Sequence, residues 1–224
     1  MKFSFRERFR TMGAAAVCRE FGRTICLILV MMLVMWSGQS EERAWAGEAT
    51  EAIKGTIDEV LKILRNPELK KPAKAEERRQ LLEKVVGERF DYREMSRRSL
   101  GAPWGKLSDE EKDEFVSLFQ TLLVNTYADK IESYTGEGVE YINERTEKEY
   151  AEVRTKVLTG KTDIPLDYRL IHKSSAWRVY DVIVDGISLV SNYRGQFTKI
   201  LRSGTNADLI DQLRKKSEKI KTSQ

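Results

Sequence analysis

Near Gly136 and Gly138 the apolar residues of this chain change their spacing, and that change narrows the folds open to it. Upstream they recur every three to four positions, which gathers them on one side of a helix. Downstream they alternate with polar residues, which gives a strand one apolar and one wet face. A block of helices followed by a block of strands does not make the repeated strand–helix order of a parallel sheet. It points to an α+β domain.

The helical block divides into four. Ile53, Ile57, Val60, Leu61 and Leu64 form a stripe over residues 48–65, ended by Asn66-Pro67. A second helix spans about 73–89, with Leu81, Leu82, Val85 and Val86 opposite a charged face. A short third covers 92–100 and stops at Gly101-Ala102-Pro103. Ser108, followed by Asp109, Glu110 and Glu111, starts a fourth that runs to about Tyr134. A serine cap satisfies orphan backbone donors, and acids in the first turn complement the helix dipole.

The strands are expected at 139–145 (weak), 150–158, 164–172 and 176–184. In the second, Ala151, Val153, Thr155 and Val157 alternate with Glu152, Arg154 and Lys156; in the third, Leu166, Tyr168 and Leu170 alternate with Asp167 and Arg169. The fourth is apolar on both parities, which predicts a central strand or one covered on both sides. Short connections make an antiparallel meander. Gly186 breaks the last strand, and closing helices follow near 189–201 and 206–220. The expectation is thus an antiparallel twisted sheet of about four strands, covered on one face by several helices.

Residues 1–46 read as an address. Six basic residues precede the apolar run Ile25 to Trp36, and Ala44-Trp45-Ala46 follows. A basic region, an apolar run of 12 residues and an A-x-A site make a secretory signal peptide, with cleavage expected after Ala46. The run is short of the ~18–20 residues that span a bilayer; the alternative is an uncleaved anchor. Both cysteines, Cys18 and Cys26, fall in this leader. The remainder, 47–224, is expected to be one exported domain that holds together by packing, without disulfides. Its charges nearly balance and interleave, so nothing in them calls for nucleic acid.

The residues offer little for catalysis. The chain has one histidine, His172, which sits at a strand end on this reading. Zinc or haem would need several His or Cys ligands, and neither a phosphate-binding glycine loop nor a G-x-S-x-G elbow is present. Neither a metal nor a cofactor is therefore expected. What remains is a large set of aliphatic and aromatic side chains. By themselves they are as consistent with an ordinary filled core as with a binding pocket.

Three segments go further: 90–131, 177–204 and 208–216. The second carries a long pattern of Trp177, Val179, Tyr180, Asp181, Val182, Val184, Gly186, Ile187, Ser188, Leu189, Val190, Asn192, Tyr193, Arg194 and Phe197. In these the chain resembles the MlaC, or toluene-tolerance, family of periplasmic phospholipid-binding proteins. The resemblance implies an apolar cavity between sheet and helices that takes the acyl tails of a phospholipid. It implies a non-enzymatic shuttle in the periplasm that helps maintain the lipid asymmetry of the outer membrane. The implied partners are an inner-membrane ABC transporter bearing an MCE-domain protein and an outer-membrane lipoprotein–porin complex.

On that resemblance the expected cavity lining is Leu166, Tyr168, Leu170, Trp177, Val179, Val182 and Val184 from the strands. Phe119, Leu122, Val190, Tyr193 and Phe197 are expected on the helical side. Arg194 reads as structural, a buried polar tie, the alternative being a contact to a headgroup phosphate. Two other readings stay open: a carrier for a hopanoid or another lipid, and a cone-shaped α+β enzyme, which would need at least one cavity-facing acid or base and would be favoured by Asp181 or His172 turned into the pocket.

Overall fold

The computed structural model describes residues 47–134, 138–160 and 162–221, with side chains to residue 218. The expected leader lies outside the described residues. Helix α1 (Glu48–Arg65) opens the domain, with Glu48 and Glu51 in its first turn and Lys62 and Arg65 in its last. Its N-terminal residue Gly47 has φ 100° and offers no side-chain cap. The cap comes from the sheet instead. Glu144 accepts from the backbone amides of Gly47 (2.9 Å) and Thr50 (2.8 Å), and from the Thr50 hydroxyl (2.5 Å). Burial raises the pKa of this carboxyl, but these hydrogen bonds outweigh it and leave the value lowered.

A 3₁₀ turn at Pro72–Lys74 leads into α2 (Ala75–Arg89), of which Leu82 is the buried residue. Asp91 caps α3 (Tyr92–Leu100), accepting from the Glu94 amide at 2.9 Å. The expected stop is at Gly101, with φ 70°. Helix α4 (Asp109–Glu132) begins with the reciprocal bonds of a capping box. The Glu111 amide donates to Ser108 Oγ at 3.2 Å, and the Ser108 amide to Glu111 Oε2 at 2.8 Å.

Strands β1 (Gly138–Glu147), β2 (Tyr150–Leu158), β3 (Ile164–Lys173) and β4 (Ala176–Val184) form the antiparallel meander. A two-residue β5 (Ile187–Ser188), beyond the four expected, adds to its far edge in the order β1-β2-β3-β4-β5. Helices α5 (Leu189–Leu201) and α6 (Asn206–Lys221) close the chain. Buried Asp181 fixes the start of α5 by accepting from the Ser188 hydroxyl (2.6 Å) and the Val190 amide (3.0 Å).

The two-sided apolar pattern of β4 has a local cause. Leu170 pairs with Val179 but the preceding Arg169 pairs with Asp181, so Tyr180 is an extra residue in the strand. The insertion reverses parity. Trp177 and Val179 before it, and Val182 and Val184 after it, therefore share the face that carries Leu170, Tyr168 and Leu166 on β3. Tyr180 packs with the helical cluster, 4.0 Å beneath the Arg98 guanidinium.

Packing falls into three regions. The helices α3–α6 bury Phe115, Phe119, Leu122, Tyr193 and Phe197 against one another. Ala49 and Ile53 of α1 press on the sheet around Val153, Leu170, Trp177 and Val179. A small cluster of Ile63, Leu64, Leu69 and Leu82 joins α1 to α2.

Candidate functional site

One apolar face of the sheet has two different halves. At the end nearest the N-terminus of α1, Leu170 and Val179 are fully buried and Trp177 nearly so, beneath Ala49 and Ile53. Alanine lets the helix backbone approach the sheet there. Farther along, α1 presents Ile57, Val60, Leu61 and Leu64, and its packing partner becomes α2 rather than the sheet. A straight helix pinned at one end of a twisted sheet stays close to it over only part of its length.

The space left between them is a partly open cavity of about 930 Å³. Its floor is the end of the sheet where Val139 pairs with Val157, Val157 with Ile164, and Leu166 with Val184. Its walls are Ile57, Val60 and Leu64 of α1, Leu82 and Val86 of α2, and Leu123, Tyr127 and Ile131 of α4. Ile164 stands at the sheet end, 39% exposed. A volume of this size lies near the upper end of that for small-molecule pockets, and the lining is mostly apolar.

The polar groups in the wall are few. Glu132 of α4 receives both Arg78 and Arg79 of α2 (Arg79 Nε at 3.4 Å), which ties the two helices together beside the cavity. Arg78 also donates to the Leu69 carbonyl at 3.0 Å. The Tyr168 hydroxyl is inside, and burial pushes its pKa well above the ordinary tyrosine value. Burial, with Glu83 adding to it, pushes Tyr92 up to about 12. Both phenols therefore stay neutral at physiological pH.

The structure brings four of the expected lining residues to the cavity: Leu166, Tyr168, Val182 and Val184. It places Leu170, Trp177 and Val179 in the solid half of the same face. Phe119, Leu122, Val190, Tyr193 and Phe197 pack in the helical cluster, with Phe119 and Tyr193 rings 5.0 Å apart. The physical reason is that α4 and α5 bury their aromatic residues against each other and against Leu209, Ile210 and Leu213 of α6 rather than against the sheet. Arg194 is also away from the cavity. Its Nε and Nη2 donate to the Arg98 carbonyl at 2.8 and 2.5 Å, bracing the end of α3. These bonds make Arg194 an exposed polar tie between α5 and α3.

The walls from α1, α2 and the last turns of α4 were not anticipated. In α2, Leu82 and Val86 border the cavity, Val85 packs into the cluster with α1, and Leu81 is exposed. Asp181 is engaged with Ser188, Val190 and Arg169, and His172 lies against the Trp177 ring at 5.1 Å. Neither is in the cavity wall. Among the described residues, no group of three or more His, Cys, Asp or Glu could hold a metal ion, and no helix is long and apolar enough to cross a membrane.

Residues 54–215 match the family described as MlaC protein. The chain belongs to the MlaC family. A curated relative is the intermembrane phospholipid transport system binding protein MlaC of Haemophilus influenzae, 22% identical over 99 residues. That match spans 42% of this chain and 46% of the relative, so less than half of the Haemophilus protein is covered. A solved structure, the phospholipid-binding protein of Ralstonia solanacearum in complex with a phospholipid, superposes with a TM-score of 0.69 at 25% identity. The likeness covers 77% of this MlaC-family chain and 98% of the Ralstonia chain. The α+β architecture with its open antiparallel sheet is thus the MlaC fold.

Proposed function

We propose that this chain is a phospholipid-binding transport protein without catalytic activity, whose cavity shelters acyl tails in transit. The observation that carries the reading is the half-hollow sheet face, in a fold shared with a protein solved with phospholipid bound. Two tails of about 15 methylenes each would cost roughly 24 kcal/mol to expose to water. An apolar cavity of about 930 Å³ supplies a substitute for the bilayer interior.

On this reading the leader is removed after Ala46 and the domain works in the periplasm. There it accepts and delivers lipid between an inner-membrane MCE-domain ABC transporter and an outer-membrane lipoprotein–porin complex. Leu166, Tyr168, Val182 and Val184 contact the tails. The carrier itself needs no energy source; its affinity must stay comparable to that of a bilayer, since a deeper well would not release.

The test is native mass spectrometry of the protein purified from periplasm without detergent, followed by lipid extraction. One phospholipid per chain is expected. Protein that arrives lipid-free, and stays so after incubation with phospholipid vesicles, refutes the proposal.

A further inference from the structure

Arg89, at the last turn of α2, is out of place in the cavity wall. Beside α4, Arg78 and Arg79 both pair with Glu132, while the exposed Lys130 lies over the Tyr127 ring at 5.6 Å from its centroid. Arg89 has no such partner. Its Nε donates to Thr56 Oγ1 at 3.0 Å and its Nη1 to the Trp177 carbonyl at 2.8 Å, both neutral acceptors. No carboxylate forms an ion pair with it among the described residues. The two bonds hold the guanidinium between α1 and β4, and Nη2 makes no hydrogen bond to a described residue.

The surroundings do not neutralise it. Burial lowers its pKa, and the nearby Arg178 lowers it further, while Glu88 raises it to a lesser degree. A half-buried cation fixed by neutral acceptors in an apolar wall is costly unless an anion meets it. A guanidinium edge presents parallel donors that fit the paired oxygens of a phosphate or a carboxylate.

We infer that Arg89 is the anion-recognising group of the cavity and docks the negatively charged head of an amphiphilic cargo, a phosphodiester or a carboxylate. The inference rests on the lipid-carrier reading above. It places the charged end of the cargo at the C-terminal end of α2. Some 10 residues of helix separate that end from Arg79, about 15 Å at 1.5 Å per residue.

The test uses two pairs of ligands with matched tails, delivered from cyclodextrin to delipidated protein and quantified by native mass spectrometry. One pair is oleic acid and methyl oleate; the other is phosphatidylglycerol and diacylglycerol. Wild type is expected to favour the charged member by about tenfold or more, the scale of one charged hydrogen bond. Arg89→Gln should level the preference between the members of each pair, and Arg89→Lys should retain part of it. Preference in both pairs establishes shared anion recognition; preference in one names the head group that uses it. Equal binding within both pairs by wild type, a comparison that needs no variant, overturns the inference and leaves the carrier reading standing. So does an unaltered preference in Arg89→Gln. If none of the four ligands binds wild type, the carrier reading falls and this inference falls with it.

Discussion

Truncating two aliphatic residues on the same sheet face should have unequal consequences. Leu170 is fully buried in the solid half beneath α1. Leu170→Ala removes three carbons, about 2.4 kcal/mol of transfer free energy at ~0.8 kcal/mol each, and leaves a new hole that adds to it. A loss of about 3–5 kcal/mol follows. Val184 pairs with Leu166 on the cavity floor and already borders open space. Val184→Ala removes two carbons, worth at most about 1.6 kcal/mol if fully buried. With one side facing the hollow and no tight packing to lose, the expected cost is below about 1 kcal/mol. Urea unfolding of the delipidated proteins, followed by circular dichroism, measures both. Adding phospholipid should stabilise wild type more than Val184→Ala, since ligand binding to the folded state adds to stability. If Val184→Ala costs as much as Leu170→Ala in delipidated protein, the hollow has collapsed in solution and the cavity argument fails.

Val182→Arg places a charge in the apolar floor and should abolish lipid co-purification while the far-ultraviolet spectrum stays α+β; full lipid content in the folded variant refutes Val182 as a tail contact. Asp181→Ala removes the buried acceptor of Ser188 and Val190 at the start of α5, with an expected loss of about 2 kcal/mol in urea unfolding; no loss means that α5 is fixed otherwise. Glu144→Ala uncaps α1 and should cost about 1 kcal/mol at pH 7. Because the folded-state pKa of Glu144 is lowered, its contribution is present at neutral pH and lost as pH falls through the carboxylate range. The difference between wild type and Glu144→Ala should therefore shrink on acidification, and a gap that is constant with pH refutes the cap.

The elements were legible because their signals are local. Ser108 with its following acids, and Gly101, act within one turn of chain, and the alternation in β2 and β3 needs no knowledge of partners. The cavity was only half legible, for two reasons. Strand parity located Leu166 and Tyr168, but the extra residue at Tyr180 made β4 look apolar on both faces. Nothing in the local sequence marks that insertion, because it is defined by the pairing partner. The second reason is that a hollow is set by what does not touch. Phe119 and Val86 both sit on apolar helical stripes, yet one is enclosed by Phe115, Tyr193 and Phe197 while the other faces space. Composition and periodicity assign a residue to the inside without saying whether the inside is full.

The size of the hollow also limits what the empty protein can be. At about 24 cal/mol per Å³, a closed and dry cavity of about 930 Å³ would cost on the order of 22 kcal/mol, more than the ~5–15 kcal/mol by which a domain is stable. The folded chain therefore cannot keep this space sealed and vacant. Either apolar cargo fills it, or water enters through the open side, or the walls close. The walls resist closing because α1 is held at its start by Glu144 and α2 is tied to α4 through Arg78, Arg79 and Glu132. Those ties are polar and peripheral, so they hold the frame apart without filling it. A frame of that kind leaves the space to be filled by cargo or by water, which is the condition the proposed carrier must meet both to load and to unload.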